Sequence, residues 1–128
     1  MFGGIEIETT LIFAAIFGVL HVFFTMRVGS YRLSRKISLG DGGDSELQKR
    51  IRAHGNFVEQ VPMGLILLLL NELNGLASQY LCALGSVFLV ARVLHYASIV
   101  MRLPFAVRPV AMVSTLGVIL VSAILLLV

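Results

Sequence analysis

The segment at residues 47–62 combines charged and amide side chains at helical spacing directly before a long apolar run. Arg52, Asn56 and Glu59 are spaced at i, i+4 and i+7, so a helix carries them on one face, and His54 projects from nearly the opposite face. A cation, an amide and an anion in one row are costly inside a membrane, and such groups are candidates for function there.

A second polar row occurs in a later apolar segment. Arg92, His95 and Tyr96 are spaced at i, i+3 and i+4 and therefore share one side of a helix. Arg108 stands at the start of the last apolar segment, with Arg102 a short way before it. The rows are expected to converge on one half of the membrane, where they offer cations, a carboxylate, an amide, an imidazole and a phenol.

The spacing alone leaves two interpretations of this set open. Arginine binds carboxylates through two parallel hydrogen bonds, and a carboxylate such as Glu59 suits an ammonium group. The set therefore fits a small zwitterionic ligand with an excess of carboxylate charge. In the other interpretation, Glu59 pairs with Arg52 or Arg92 inside the membrane, and the ion pair only holds the helices together. Both interpretations treat Glu59 as a buried, ionised group.

The composition indicates which fold must position these residues. Of the 128 residues, 58% are hydrophobic and 13% are charged, whereas a soluble domain carries about 25% charged residues. Because a membrane-spanning helix needs about 20 apolar residues, the length suits an all-α integral membrane protein, a bundle of four transmembrane helices in a single domain. The predicted helices cover residues 6–28, 45–71, 78–101 and 110–128.

Local signals refine the second of these helices. Asp44 or Ser45 is expected to cap its N-terminus, because short polar side chains accept hydrogen bonds from the first backbone N–H groups of a helix. Pro62 lies inside the helix, removes one backbone hydrogen bond and is expected to kink it. Residues 71–75 are expected to form a short polar turn into the third helix.

The charged residues divide between the two ends of the predicted helices. All ten Lys and Arg residues lie near the first and third connections, whereas the opposite side carries Glu6, Glu8 and Glu72. Under the positive-inside rule, both chain termini therefore face away from the cytoplasm. The end of the first helix is expected to be anchored among lipid headgroups by a basic cluster. The cluster consists of Arg27, Arg32, Arg35 and Lys36.

Several other classes of function are not expected. Cys82 is the single cysteine, so the chain cannot form an internal disulfide or a cysteine metal site. Two histidines on different helices do not make a convincing metal site, and we expect no metal. The net charge of +3 is explained by the basic residues that set the membrane topology. Nucleic-acid binding is not expected, because no basic residues alternate with exposed aromatic residues as in a nucleic-acid interface.

The central segment also resembles a known family. Residues 52–62, Arg-Ala-His-Gly-Asn-Phe-Val-Glu-Gln-Val-Pro, are similar to the R-A-H-x-N-x-x-E-x-x-P signature of the MAPEG family, the membrane-associated proteins in eicosanoid and glutathione metabolism. Residues 92–96 resemble the family's third-helix motif. Residues 40–48 resemble the small bacterial, YecN-like branch, which implies a bacterial inner membrane protein.

The resemblance implies a homotrimer that binds glutathione between neighbouring subunits near the cytoplasmic face. It implies a membrane-bound glutathione transferase or peroxidase that acts on lipophilic electrophiles or lipid hydroperoxides from the surrounding lipids. Arg108 is the match for the arginine beside the glutathione thiol, and Arg102 is the weaker match. The residues carried over for binding are Arg32 (reaching in from the neighbouring subunit), Arg52, His54, Asn56, Glu59, Arg92, His95 and Tyr96.

The sequence departs from the family at two positions where family enzymes often carry tyrosine, which here are Gln60 and Ile99. These departures keep a second hypothesis open, a trimer that binds lipid or glutathione without catalysis. A small drug-efflux transporter also has four short helices, but it needs an acidic residue in the middle of the first helix. Here no acidic residue occurs between Glu8 and Asp41.

Overall fold

The structure, a computed structural model, describes residues 6–128. It contains four helices, α1 (Thr9–Arg35), α2 (Ser45–Leu73), α3 (Ser78–Val100) and α4 (Val107–Leu125). Each is long and apolar enough to cross a membrane, and the described part of the chain contains no strand. The predicted all-α architecture with four membrane-spanning helices is confirmed.

The first helix is longer than predicted. It ends at Arg35 rather than at residue 28, so Arg32 and Arg35 lie on its last turn and Lys36 is its C-cap. Cationic side chains interact favourably with the carbonyl groups at a helix C-terminus, and Lys36 ends the helix in the left-handed conformation with φ 56°. A helix of 27 residues is about 40 Å long, so its end projects beyond a hydrocarbon core of about 30 Å.

The other helix ends also differ slightly from prediction. α4 begins at Val107 instead of residue 110 and ends at Leu125. α2 continues as one helix past Pro62 to Leu73, so the polar turn that was expected at residues 71–75 begins three residues later, at Asn74. At its N-terminus, Asp44 is the cap: its carboxylate accepts from the backbone N–H groups of Glu46 and Leu47. These bonds, that of Leu47 foremost, hold the pKa of Asp44 below its usual range.

The helices pack so that α2 and α3 form the centre of the bundle. α1 packs against both of them from one side, and α4 packs against both from the other. The α1 side is filled by aromatic rings: Phe24 stacks on Tyr96 with ring centroids 3.6 Å apart and meets Phe57 edge to face at 5.0 Å. Phe17 contacts both Phe57 and Phe88. This aromatic core fixes the rotation of α1 relative to the two central helices.

The crossing of α2 and α3 depends on Gly64. A Cβ atom at this position would overlap the ring of Phe88, which is 0% exposed and has no room to move. We expect Gly64→Ala to destabilise the bundle by about 1–3 kcal/mol through overpacking. Thermal unfolding in detergent measures this. Gly117→Ala is the matched control, since a Cβ atom added at Gly117 would meet nothing within 4 Å, and an equal loss in both variants would contradict the explanation.

Candidate functional site

Arg92 of α3 is the most deeply buried charged residue of the predicted site, with 1% of its surface exposed. Its Nη1 donates to Oδ1 of Asn56 on α2 at 2.6 Å, and its Nε donates to Oγ1 of Thr115 on α4 at 2.9 Å. The Thr115 hydroxyl in turn donates to the carbonyl of Ala111 at 2.9 Å. One guanidinium therefore joins the three helices α2, α3 and α4.

Thr115 is a functional candidate that the sequence analysis missed. Its residue type and position gave only a weak signal, one of several hydroxyl side chains in a largely apolar helix. The structure shows it fully buried at 0% exposure and bonded to Arg92. A second nitrogen of Arg92, Nη2, is also buried and has no hydrogen-bond partner among residues 6–128. The hydrogen bonds of the Arg92 guanidinium within the described residues are thus to two neutral oxygens only.

The row on α2 is divided by this packing. Asn56 is buried against Arg92, whereas Arg52 and Glu59 are exposed on the surface of the chain. The expected ion pair of Glu59 with Arg52 or Arg92 is wrong within one chain, as is the expectation that Glu59 is buried in it. Arg92 points into the bundle interior, and Arg52 and Glu59 are separated by about 10 Å along the helix axis. The ion pair found among the described residues joins Arg50 to Glu46.

A cavity of about 510 Å³ opens between the end of α3 and the start of α4. His95 is buried at its inner end. Arg108 lies at its wall, where Nη2 donates to the backbone carbonyl of Ser98 at 2.8 Å and so holds the guanidinium in place. The complete lining is His95, Ser98, Leu103, Pro104, Phe105, Arg108, Pro109 and Met112. The cavity therefore has one fixed cation, one imidazole and otherwise largely apolar walls.

The electrostatic surroundings of this cavity are one-sided. Among the residues that line it, Arg108 is the single cation, and no carboxylate of the described residues lines it. An anion in the cavity would therefore be attracted by an uncompensated positive charge. The arrangement is suited to a ligand with negative charge.

Three predicted residues lie away from both the Arg92 contact and the cavity. His54 faces α1, with Nε2 3.0 Å from the Thr25 hydroxyl and its ring centroid 5.5 Å from that of His21. Tyr96 is buried in the aromatic core beside α1. Arg32 lies near the end of α1, and its Nη1 donates to the carbonyl of Gly40. The fold thus brings two pairs of predicted residues together: Arg92 bonds to Asn56, and His95 and Arg108 line one cavity.

Four membrane-spanning helices, three of them joined by a buried polar contact, with a cavity that contains a fixed arginine, define a class of small membrane protein. The chain belongs to the MAPEG family, whose sequence model matches residues 10–128. It is 38% identical over 85 residues to the inner membrane protein YecN of Escherichia coli strain K12, and equally to YecN of Escherichia coli O6:H1 strain CFT073.

The alignments with the two YecN proteins cover only part of each chain. The aligned stretch covers 66% of this chain, and the chain spans 65% of the length of those relatives. The relatives and the four helices together establish an integral inner membrane protein. The resemblance of residues 52–62 to the MAPEG signature, and of residues 40–48 to the YecN-like branch, is therefore confirmed.

Proposed function

We propose that this chain is a membrane-bound, glutathione-dependent transferase or peroxidase that acts on lipophilic electrophiles or lipid hydroperoxides. The observation that carries the proposal is the fixed Arg108 guanidinium in the wall of the cavity, whose lining includes His95 and no carboxylate within residues 6–128. Glutathione carries two carboxylates and one ammonium group. Its excess negative charge matches the excess positive charge of the cavity.

Residues on α2, outside the cavity lining, fit other parts of such a ligand. Arg52 is exposed and accessible to a carboxylate. Oδ1 of Asn56 already accepts from Arg92, so the amide NH₂ group is the part of Asn56 left to donate to an acceptor on the ligand. Glu59 supplies the negative group that an ammonium requires, and its exposure leaves it accessible. These contacts would orient the tripeptide along the surface of α2.

A homotrimer with the site between subunits explains the predicted residues that lie outside the cavity. Arg32 and His54 belong to the α1 side of the chain, whereas Arg108 belongs to the α4 side. The two sides are separated by the central helices α2 and α3. In a closed ring of identical subunits, the α1 side of one chain meets the α4 side of the next. Arg32 and His54 would then complete the site of a neighbour.

In the proposed mechanism, glutathione would, when bound, supply the thiol group that attacks the electrophile. With a hydroperoxide, two thiols would be oxidised to a disulfide while the hydroperoxide is reduced to an alcohol and water. Arg108 is held by the Ser98 carbonyl and places its charge where negative charge on sulfur develops. Since an arginine remains protonated, it lowers the pKa of a nearby thiol without taking up the proton. Leu103, Phe105 and Met112 line the cavity with apolar surface that excludes water and admits a lipophilic partner.

The test uses the detergent-purified protein and the ultraviolet absorbance of thiolate, which the protonated thiol lacks. Adding glutathione to the wild type at neutral pH is expected to produce this absorbance, because a cation beside the sulfur can lower the thiol pKa by about 2. Arg108→Ala is expected to abolish the signal while much of the affinity remains through Arg52. The matched control is Arg102→Ala, which replaces an exposed arginine just before α4.

The proposed homotrimer is tested on the same preparation. Native mass spectrometry is expected to give three chains.

The other outcomes are equally informative. Binding of glutathione without a thiolate signal would favour the non-catalytic trimer, which the absence of tyrosine at Gln60 and Ile99 also favours. Loss of the signal in Arg102→Ala, but not in Arg108→Ala, would show that the wrong arginine has been placed beside the thiol. A wild type that does not bind glutathione would overturn the proposed function.

A further inference from the structure

The C-terminal end of α1 and the chain that follows it form an open groove of about 640 Å³. Its lining is Met26, Gly29, Ser30, Arg32, Leu33, Lys36, Ile37 and Ser38. No residue of α3 or α4 lines this groove, so it is separate from the cavity at His95. The reversal of the chain at Lys36, in the left-handed conformation, places the residues after the helix beside its last turns.

The groove is apolar along one part and polar along the other. Met26 is 62% exposed and Leu33 is 82% exposed, so each presents a long apolar side chain to its surroundings. Ser30, Ser38 and Lys36 contribute two hydroxyl groups and an ammonium group. Because α1 is longer than a hydrocarbon core is thick, this end of the helix lies at the depth of the lipid headgroups. The apolar part then faces acyl chains and the polar part faces phosphates.

The charge of the lining selects among lipids. Arg32 and Lys36 are both cations, and the groove has no carboxylate in its lining within residues 6–128. A zwitterionic lipid brings an ammonium group that would find only cations here. An anionic headgroup has no such group, and its phosphate can accept hydrogen bonds from the ammonium and the serine hydroxyls.

We infer that this groove binds an anionic glycerophospholipid, with the phosphate between Lys36 and the serine hydroxyls and an acyl chain along Met26 and Leu33. The lipid would fix the end of α1 at the membrane surface. The groove shares Arg32 with the proposed glutathione site, whereas Lys36, on which the inference rests, has no part in that site. In this proposal, Lys36 of the basic cluster binds one specific ligand. Its role is then more than the general attraction of basic residues to an anionic membrane surface.

The experiment measures lipid retention by native mass spectrometry on the full-length protein in detergent. Phosphatidylglycerol and phosphatidylcholine with identical acyl chains are added at equal concentrations, and the wild type is expected to retain phosphatidylglycerol preferentially. Lys36→Gln is expected to weaken that retention about fivefold, the effect of one lysine beside an anionic headgroup. Lys49→Gln is the matched control, because Lys49 is an exposed lysine on the neighbouring helix α2 and does not line the groove.

Three results would overturn the inference. They are equal retention of the two lipids by the wild type, equal losses in Lys36→Gln and Lys49→Gln, and displacement of the lipid by inorganic phosphate at constant ionic strength. Glutathione binding, measured in parallel, is expected to be the same in Lys36→Gln as in the wild type. A failure of the lipid site can therefore be distinguished from a failure of the proposed function.

Discussion

Replacing Asn56 with alanine is expected to destabilise the protein by about 3 kcal/mol, because the variant leaves the buried guanidinium of Arg92 without its shortest hydrogen bond. The Nη1 nitrogen would join Nη2, which already has no partner within the described residues. Water cannot easily replace the amide oxygen, since Arg92 is 1% exposed. Thermal unfolding in detergent, followed by the loss of helical circular dichroism, measures the effect.

Variants at the two other positions of this contact test the explanation. Thr115→Val removes the acceptor for Nε of Arg92 and is expected to cost less, because Asn56 still binds the guanidinium. Thr115→Ser keeps the hydroxyl and is the control. The double variant Asn56→Leu with Arg92→Met is expected to be more stable than Asn56→Ala, since replacing all partners by apolar groups removes the stranded charge. If the stability lost by the double variant equals the sum of the losses in Asn56→Leu and Arg92→Met measured separately, the unpaired charge of Arg92 is not the cause of the destabilisation.

Replacing Glu72 with alanine is expected to release the start of α1. The Glu72 carboxylate accepts hydrogen bonds from the backbone N–H groups of Glu8 and Thr9 through Oε1, and from Thr10 through Oε2. A carboxylate at a helix N-terminus satisfies N–H groups that the helix itself leaves unpaired, and losing such a cap costs about 0.5–2 kcal/mol. Amide hydrogen exchange in the first turn of α1 is therefore expected to become much faster in Glu72→Ala.

Two further variants distinguish this capping from a general effect of charge. Glu72→Gln keeps one acceptor oxygen and is expected to give an intermediate exchange rate. Glu6→Gln removes a nearby exposed carboxylate that is outside the contact and is expected to leave the exchange of α1 unchanged. If both glutamate positions change the exchange equally, the carboxylate of Glu72 does not act as the cap.

The amino-acid sequence by itself determined the class of protein and its family. The length and apolar content required four membrane-spanning helices, because only helices and closed barrels satisfy the backbone inside a membrane. The row at residues 52–62 identified the family, since its side chains follow one another along a single helix. Helix formation and the faces of a single helix depend on residues close together in the sequence, so residue spacing predicts them well. The predicted end of α1 at residue 28 was wrong, because the helix continues past its apolar stretch to Arg35.

Only the tertiary structure decided how the polar row is used. Helical spacing placed Arg52, Asn56 and Glu59 on one face, but that face is wider than the contact made by α3. Asn56 alone is buried against Arg92, and the two charged residues remain exposed. Thr115 is part of the site because Arg92, its hydrogen-bond partner, lies on another helix, and the spacing within α4 does not show that contact.

Contacts of this kind depend on the rotation and offset of whole helices. Gly64 and Phe88 set the approach of α2 to α3, since only a residue without a side chain leaves room for the ring. Glu72 reaches the start of α1 from 62 residues away in the chain. The periodicity of each helix fixes which of its residues share a face, but not which residue of another helix they meet. That choice follows from the packing of the side chains between the helices.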